Sequence, residues 1–310
     1  MKIVFLDRKT IGEDIDLSGF ERFGEVVIYD YSSSEEVPER VTDADIIVLN
    51  KVLVNEKSIG TAKNLKLVCV TATGTNNLDK DYLAFRGIEW RNVAGYSTEA
   101  VAQHTFSLAF YLLEHLSYYD AYVKEERYVN DKMFTHFERH FHEIQGKTWG
   151  IIGLGAIGSR VAEIASCFGA NVIYYSTSGK NHSDKYKEVD FDTLLVQSDI
   201  LSIHAPLNDA TEHLIDANAL TKMKKSAILI NVGRGPIIVE KDLADALDNN
   251  VIAAAGLDVL DVEPMSPDNP LVRIKDSTKL LITPHIAWAA VEARIRLMQI
   301  IEKQIEEFLA

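Results

Sequence analysis

The chain has 310 residues, of which 47% are hydrophobic and 25% charged, and its formal net charge at pH 7 is −14. These values predict an ordinary globular protein of about two domains with room for a sizeable core. The acidic balance argues against nucleic acids and anionic membranes as partners, and no apolar run approaches the ~20 residues of a membrane span. Cys69 and Cys167 lie in apolar segments outside any metal-ligand spacing, which predicts buried free thiols in a reducing compartment. The first apolar run is too short for a signal peptide, so a cytoplasmic location is expected.

Short apolar runs alternate with turn and helix signals from the start of the chain. A long amphipathic helix, capped by Thr98, is predicted from Glu99 to about Tyr122, and a polar, aromatic-rich stretch follows it. The apolar runs before that helix predict strands of a parallel sheet at 3–7, 26–31, 45–49, 65–71 and 88–93.

A second series of apolar runs begins in the middle of the chain and predicts strands at 148–152, 171–175, 200–204, 227–231, 253–257 and 279–282. A last amphipathic helix, from about 291 to 309, is expected to return to the first domain. The fold class is therefore α/β with two Rossmann-like domains: a flavodoxin-like substrate domain at 1–98 plus 288–310, and a doubly wound nucleotide-binding domain at 99–287. A cleft between two such domains is where a dinucleotide and a small substrate are expected to meet.

A glycine-rich segment, Gly150–Gly158, carries the pattern G-x-G-x-x-G between a predicted strand and a predicted helix. Gly153 permits a tight turn, Gly155 lets the backbone approach a pyrophosphate, and Gly158 lets the helix pack on the strand. The N–H groups at the start of that helix would face the phosphates. Because a further strand closes a βαβ unit, the segment predicts dinucleotide binding rather than a structural turn.

Charged residues then occur at predicted strand ends within otherwise apolar sequence, in the order Arg234, Glu263, His285. Ligands of open α/β sheets bind outside the carboxyl ends of the strands, which is where these residues fall. Together with the glycine-rich segment in the middle of the chain, this order of residues is similar to that of the D-isomer-specific 2-hydroxyacid dehydrogenase family. The resemblance extends over nearly the whole chain. The segments that carry the resemblance are Ala-Thr-Gly-Thr-Asn-Asn at 72–77, His-Ala-Pro-Leu at 204–207, and the stretches 231–236, 256–264 and 283–288.

The chemistry of the three charged residues suits reduction of a 2-oxo acid. A histidine side chain ordinarily changes its charge near neutral pH, so His285 is a candidate proton donor to the carbonyl oxygen. Glu263 beside it would orient the ring and favour the imidazolium. Arg234 offers a planar fork of donors for the substrate carboxylate and carbonyl. The resemblance implies the same catalytic roles, although a strand-end histidine or a Glu-Pro turn is often purely structural.

The resemblance also implies which residues contact the cofactor, NAD or NADP. Asp258 would lie near the nicotinamide carboxamide and orient the ring. The other expected cofactor contacts are Val101, Gly153, Gly155, Ala156, Ile157, Gly158, Ser176, Thr177, His204, Ala205, Pro206, Thr211, Val232, Gly233, Arg234, His285 and Ala287.

The substrate contacts implied for the first domain lie in two loops. In similar enzymes, the loop that matches Thr73 and Gly74 presents backbone N–H groups to the substrate carboxylate. Lys51 occupies a position where family members often have a polar or basic contact, but a solvated lysine at a strand end is an equal alternative. Arg234 and His285 would complete the substrate site.

The expected preference between the two cofactors is open. Family members that prefer NAD usually carry an acid at the end of the second strand of the nucleotide domain, where this chain has Ser176. No acid occurs between Asn171 and Asn181, and Lys180 is the only cation there. A carboxylate would repel a 2′-phosphate and hydroxyls would not, but no arginine is present to clamp the phosphate.

Two further expectations concern partners. His136, His140 and His142 lack a fourth ligand of clear spacing, so a metal site is not predicted. In similar enzymes this stretch borders the dimer interface, and a homodimer is expected.

The leading hypothesis for the function is an NAD(P)-dependent dehydrogenase acting on glyoxylate, hydroxypyruvate or a pyruvate-like acid. The alternative is a dinucleotide-sensing binding protein, like the corepressors that share this scaffold and keep the same three residues.

Overall fold

The computed structural model describes residues 1–310, which form two compact units, Met1–Ser97 with Ala289–Ala310, and Thr98–Trp288. The strands are β1 (Lys2–Phe5), β2 (Glu25–Ile28), β3 (Ile46–Leu49), β4 (Leu67–Val70), β5 (Glu89–Arg91), β6 (Thr148–Ile152), β7 (Asn171–Tyr175), β8 (Lys187–Glu188), β9 (Ile200–Ile203), β10 (Ile228–Asn231), β11 (Ala254–Leu257) and β12 (Leu280–Ile282). The helices are α1 (Val37–Arg40), α2 (Glu56–Ile59), α3 (Lys80–Arg86), α4 (Thr98–Leu113), α5 (Leu116–Lys124), α6 (Ala156–Cys167), α7 (Phe191–Gln197), α8 (Ala217–Lys222), α9 (Glu240–Asp248) and α10 (Val291–Leu309). No helix is both long enough and apolar enough to cross a membrane.

Each unit is built on one parallel sheet. The first unit has a five-stranded sheet in the order β2-β1-β3-β4-β5, and the second has a seven-stranded sheet in the order β12-β11-β10-β9-β6-β7-β8. Every strand pair is parallel, and the central strands β3, β4, β9, β10 and β11 are buried along their whole length. A parallel sheet covered on both faces explains why these strands are continuous apolar runs. The predicted α/β class with two parallel sheets is confirmed.

The prediction of one continuous helix from Glu99 to about Tyr122 is wrong. The structure has two helices there, α4 and α5, separated at His115, which adopts the left-handed conformation with φ of 51°. Amphipathic spacing persists across the break, so periodicity alone did not reveal it. The two-residue edge strand β8 was also not predicted, because Lys187 and Glu188 are exposed and lack an apolar pattern.

The prediction for the cysteines is half correct. Cys69 lies in the buried strand β4, and burial raises the pKa of its thiol to about 12. Cys167, the last residue of α6, is exposed. The buried face of that helix consists of Gly158, Val161, Ala162 and Ala165, and Cys167 does not fall on this stripe.

Candidate active site

The predicted site residues of the second unit gather at one edge of its sheet. The register pairs Ile152 with Ile203, Ile203 with Asn231, Asn231 with Leu257 and Leu257 with Ile282, so the carboxyl ends of these strands are level. The loops that leave this edge carry Gly153 to Gly158, His204 to Pro206, Val232 to Arg234, Asp258 and His285, and Ser176 follows the neighbouring strand β7. Val101 lies apart from them in sequence, buried on α4.

The glycine-rich turn joins β6 directly to α6. The Gly153 N–H donates to the carbonyl of Tyr175 over 3.0 Å, and α6 begins at Ala156. A Cβ on Gly158 would lie 2.2 Å from the carbonyl oxygen of Gly153, whereas a Cβ on Gly155 would meet nothing within 4 Å. The helix therefore packs on the turn through Gly158, and Gly155 leaves open space beside the free N–H groups at the helix start. That arrangement suits a pyrophosphate.

The two glycines give a matched pair of variants with opposite expected effects. Gly158→Ala should destabilise the fold by about 1–3 kcal/mol, because the added methyl cannot fit against the Gly153 carbonyl without moving backbone. Gly155→Ala should change the unfolding free energy by less than about 1 kcal/mol but weaken dinucleotide binding. Urea denaturation and fluorescence titration with NADH measure the two effects. Equal loss of stability in both variants would contradict this description of the turn.

Two buried polar atoms at the same sheet edge have no hydrogen-bond partner in the chain, Ser176 Oγ and His204 Nδ1. A buried polar atom without a partner is costly, and its partner is often a ligand. Ser176 follows β7, where the ribose of a dinucleotide would lie on this fold, and His204 follows β9. The unpartnered atoms and the open glycine turn both fit a bound dinucleotide.

The hydrogen bonds of His204 define which of its nitrogens is free to donate. Trp149 Nε1 donates to Ser202 Oγ over 2.9 Å, and Ser202 Oγ lies 3.0 Å from His204 Nε2. No other acceptor reaches the Ser202 hydroxyl, so that hydroxyl donates to Nε2 and the proton of the neutral ring lies on Nδ1. Burial lowers the pKa of His204 to about 3, which keeps the ring neutral. His204 thus presents an unused N–H donor.

Arg234 lies in the turn after β10, and Asn231, the last residue of that strand, holds this turn. Asn231, which is buried, accepts from the Gly233 N–H over 3.0 Å and donates from Nδ2 to the Arg234 carbonyl over 2.8 Å. The turn packs directly on the loop after β11, since a Cβ on Gly235 would lie 1.9 Å from the carbonyl carbon of Leu260. The guanidinium is half-buried and uses Nη1 to donate to the Gly233 carbonyl over 2.7 Å. Its remaining fork of donors suits a carboxylate.

Glu263 and His285 form a direct pair. The Nδ1 atom of His285 lies 2.7 Å from Glu263 Oε2, and the second carboxylate oxygen accepts from the Leu260 N–H over 2.9 Å. Their side chains are 28% and 33% exposed, so both are accessible from solvent. A carboxylate bound to Nδ1 fixes the ring so that Nε2 is the nitrogen available to another molecule.

Asp258 supports the turn that carries His285. Its carboxylate is 1% exposed and accepts from the Thr283 hydroxyl over 2.6 Å and from the N–H groups of Ile286 and Ala287 over 2.9 and 2.8 Å. The sequence-based interpretation missed this use of Asp258 and missed His104, whose Nε2 lies 2.9 Å from Thr283 Oγ1. The only signal in the sequence was a histidine within an apolar helical stretch.

In the first unit, Lys51 lies in a tightly held loop after β3. The Asp7 carboxylate accepts from the backbone N–H groups of Asn50, Lys51 and Val52, with the Lys51 bond at 2.7 Å. Asn77 Nδ2 donates to the carbonyls of Asn50 and Val52 over 3.2 and 2.8 Å. Burial raises the pKa of Asp7, and these backbone donors partly offset that effect. These hydrogen bonds hold the backbone of the loop, whereas the Lys51 side chain is exposed.

The other predicted substrate loop follows the adjacent strand β4. The Thr73 hydroxyl donates to the Val93 carbonyl over 2.9 Å, and Asn92 Nδ2 donates to the Thr73 carbonyl over 2.6 Å. These contacts leave the Gly74 side of the loop half-buried. Lys51, Thr73 and Gly74 thus follow the carboxyl ends of two paired strands.

His136 lies in an aromatic cluster. Its Nε2 is 2.8 Å from the Tyr118 hydroxyl, and its ring stacks on Tyr122 with centroids 3.8 Å apart. His140 and His142 are exposed, and the chain has no group of three acidic, histidine or cysteine side chains placed to hold a metal ion.

Comparison with known proteins places the chain in a family. Residues 106–287 match the model for the D-isomer specific 2-hydroxyacid dehydrogenase NAD binding domain. A hydroxypyruvate reductase from Blautia hydrogenotrophica is 38% identical, covering 100% of this chain and 97% of the relative. A glycerate dehydrogenase from Methylorubrum extorquens is 35% identical over 100% of this chain and 96% of its own length. The solved structure of an acyclic imino acid reductase in complex with NADPH and D-Arg has a TM-score of 0.87 at 30% identity, with 100% and 97% of the two chains covered.

A nicotinamide dinucleotide oxidoreductase is the class that the fold and the matched domain define. The chain belongs to the D-isomer-specific 2-hydroxyacid dehydrogenase family.

Proposed function

We propose that the protein reduces a small 2-oxo acid to the D-2-hydroxy acid with NADH or NADPH. The observation that supports this most strongly is the 2.7 Å pair of His285 and Glu263 at the sheet edge that also carries the dinucleotide fingerprint and Arg234. When bound, the nicotinamide dinucleotide supplies the hydride that the substrate carbon receives.

His285 acts as the acid and base in this proposal. As C2 of the 2-oxo acid gains the hydride and its two electrons, the carbonyl oxygen gains negative charge and takes the proton from His285 Nε2. Nδ1 keeps its own proton, which it donates to Glu263 Oε2 over 2.7 Å. The carboxylate thus orients the ring and stabilises the imidazolium before transfer, and in the reverse direction the neutral ring accepts the hydroxyl proton.

Arg234 fixes the substrate. Its guanidinium can donate two parallel hydrogen bonds to the substrate carboxylate, or one to the carboxylate and one to the carbonyl oxygen. Either arrangement holds C2 in one orientation and stabilises charge that develops on oxygen. We further propose that backbone N–H groups of Thr73 and Gly74 and the side chain of Lys51 contact the substrate.

The proposed cofactor contacts begin at the glycine turn, whose N–H groups at the start of α6 would hold the pyrophosphate. Ser176 Oγ and His204 Nδ1 supply polar atoms that the chain itself leaves without partners. Thr211 is fully buried and holds the loop after β9, since its hydroxyl donates to the Pro206 carbonyl over 2.7 Å. The other cofactor contacts in the proposal are those that the sequence analysis expects. They include a contact from Asp258 to the nicotinamide carboxamide.

A small 2-oxo acid is favoured as substrate by the hydroxypyruvate reductase and glycerate dehydrogenase names of two relatives. The same three residues, Arg234, Glu263 and His285, would also be present in a dinucleotide-sensing binding protein. Turnover separates the two functions, because a sensor would bind the dinucleotide without oxidising it in the presence of any 2-oxo acid.

A steady-state panel tests the proposed function and the cofactor together. Glyoxylate, hydroxypyruvate and pyruvate are each offered with NADH and with NADPH, and at least one acid should be reduced. Ser176 brings no negative charge to the ribose, so kcat/KM for the two cofactors should agree within about tenfold. Ser176→Asp should lower kcat/KM for NADPH by about 100-fold and leave that for NADH nearly unchanged, whereas the neutral Ser176→Asn should not discriminate. Dinucleotide binding without turnover would favour the sensor.

We also propose that two copies of the chain associate through the stretch that follows α5. Large apolar side chains are exposed there, with Phe134 at 84% and Phe137 at 72%, beside Val129, Met133 and Phe141. Such a run on a monomer's surface is typical of an interface. Sedimentation equilibrium should give twice the mass of one chain. Phe134→Ser with Phe137→Ser should give single chains, and Phe85→Ser, equally exposed in the first unit, should not.

The proposed compartment is the cytoplasm. Both cysteines are unpaired, and a reducing environment keeps such thiols from forming disulfides.

A further inference from the structure

We infer that His104 and Thr283 are positioning residues for His285: together they fix the carboxylate of Asp258, which holds the backbone turn that carries the His285 side chain. The inference rests on the proposed role of His285 as the acid and base. It concerns two residues that contact neither the substrate nor the cofactor in the proposed function.

The turn at His285 needs external support. His285 has a φ of 55°, which lies in the left-handed region of backbone conformation. Residues other than glycine adopt that region only at a cost in free energy. Its N–H donates to the carbonyls of Asp258 and Thr283 over 2.8 and 3.0 Å. The next two N–H groups, of Ile286 and Ala287, donate to Oδ1 and Oδ2 of Asp258. The position of that carboxylate therefore sets the direction in which the His285 side chain leaves the backbone.

The donors around Asp258 can be assigned by counting protons. An ionised carboxylate only accepts, so the 2.6 Å contact from Thr283 Oγ1 to Oδ1 uses the one proton of the threonine hydroxyl. The 2.9 Å contact between that hydroxyl and His104 Nε2 must then have the histidine as donor. The order is His104 Nε2–H to Thr283 Oγ1, and Thr283 O–H to Asp258 Oδ1. His104 Nε2 lies 3.5 Å from Oδ1 itself, so the threonine is the link.

The state of the His104 ring agrees with this order. Burial lowers the pKa of His104, and the charge of Asp258 opposes that effect without cancelling it. A neutral ring carries one proton, and the threonine contact requires it on Nε2. A neutral donor next to Asp258 fixes the carboxylate without neutralising its charge. His104 lies on α4 and Thr283 directly after β12, so the link ties the turn to the helix against which the sheet packs.

Conservative and non-conservative variants at both positions test the inference. Thr283→Val removes the hydroxyl at nearly constant volume, and Thr283→Ser keeps it. His104→Leu removes the donor, and His104→Gln keeps an N–H near the Nε2 position. Thr283→Val and His104→Leu should each lower kcat by about 10- to 100-fold and change KM for the 2-oxo acid by less than about threefold. The reason is that displacement of the acid, His285, slows proton transfer more than it weakens substrate binding. The second of each pair should stay within about threefold of the wild-type kcat.

A spectroscopic measurement keeps the inference testable if no substrate is turned over. The Nδ1 proton of His285, bound to Glu263, should give a downfield proton resonance that disappears in His285→Asn. That resonance should shift or broaden in Thr283→Val and His104→Leu and be preserved in Thr283→Ser and His104→Gln. Absence of turnover in the wild-type protein with this pattern intact would reject the proposed function alone. An unchanged resonance and kcat in both Thr283→Val and His104→Leu would overturn the inference, as would equal losses in the conservative and non-conservative variants of a folded protein.

Discussion

Replacing His285 with asparagine should lower kcat for 2-oxo acid reduction by about 10³-fold while the affinity for NADH changes less than about threefold. The variant removes the proton that Nε2 gives to the carbonyl oxygen, and general acid catalysis by a positioned histidine contributes on that order. Asparagine can still donate to Glu263 from near the Nδ1 position, so the local fold should be kept. Stopped-flow reduction and fluorescence titration measure the two quantities.

A matched control separates loss of the acid from general damage to the site. His140 is an exposed histidine outside the sheet edge, and His140→Asn should retain the wild-type kcat. Turnover by His285→Asn at a tenth of the wild-type rate or more would remove His285 from the proton-transfer role.

Arg234→Gln should lower kcat/KM by about 10²- to 10⁴-fold, with contributions from both kcat and KM. Two charge-assisted hydrogen bonds to the substrate are lost, each worth about 1.5–3 kcal/mol. Within the chain the guanidinium contacts the neighbouring Gly233 carbonyl, so the unfolding free energy should change by less than about 1 kcal/mol.

Arg234→Lys is the variant that tests the geometry rather than the charge. Lysine keeps the positive charge but cannot donate two parallel hydrogen bonds from one planar group. We expect it to restore substrate binding in part and kcat only weakly. Full kcat/KM in Arg234→Lys would show that the planar fork plays no part in orienting the 2-oxo acid.

The features that could be predicted from the sequence are those set by local chemistry. Apolar runs identified the strands of both sheets except the edge strand β8, and the last helix was predicted at its observed bounds, Val291–Leu309. The pattern G-x-G-x-x-G predicts the turn after β6, and in the structure α6 packs on that turn at Gly158, where a Cβ would not fit. Arg234, Glu263 and His285 were singled out because charged residues at the ends of apolar strands are unusual.

The features that were missed depend on contacts between distant parts of the chain. His104 and Thr283 are 179 residues apart, and no local pattern links a helix residue to a strand end. The clamp of Asp7 on the Lys51 loop spans 44 residues. No local pattern predicts the break at His115, because the left-handed conformation there is adopted by a histidine, whereas glycine is the usual signal of that conformation.

The most direct test of the central claim follows the hydride and the configuration of the product. The protein is given hydroxypyruvate or pyruvate with NADH or NADPH that carries deuterium at C4 of the nicotinamide, in each of the two C4 epimers. We predict that one epimer transfers its deuterium to C2 and that the product is the D-2-hydroxy acid. A product of L configuration, a product without deuterium at C2 from either epimer, or binding of the dinucleotide with no product would contradict the account.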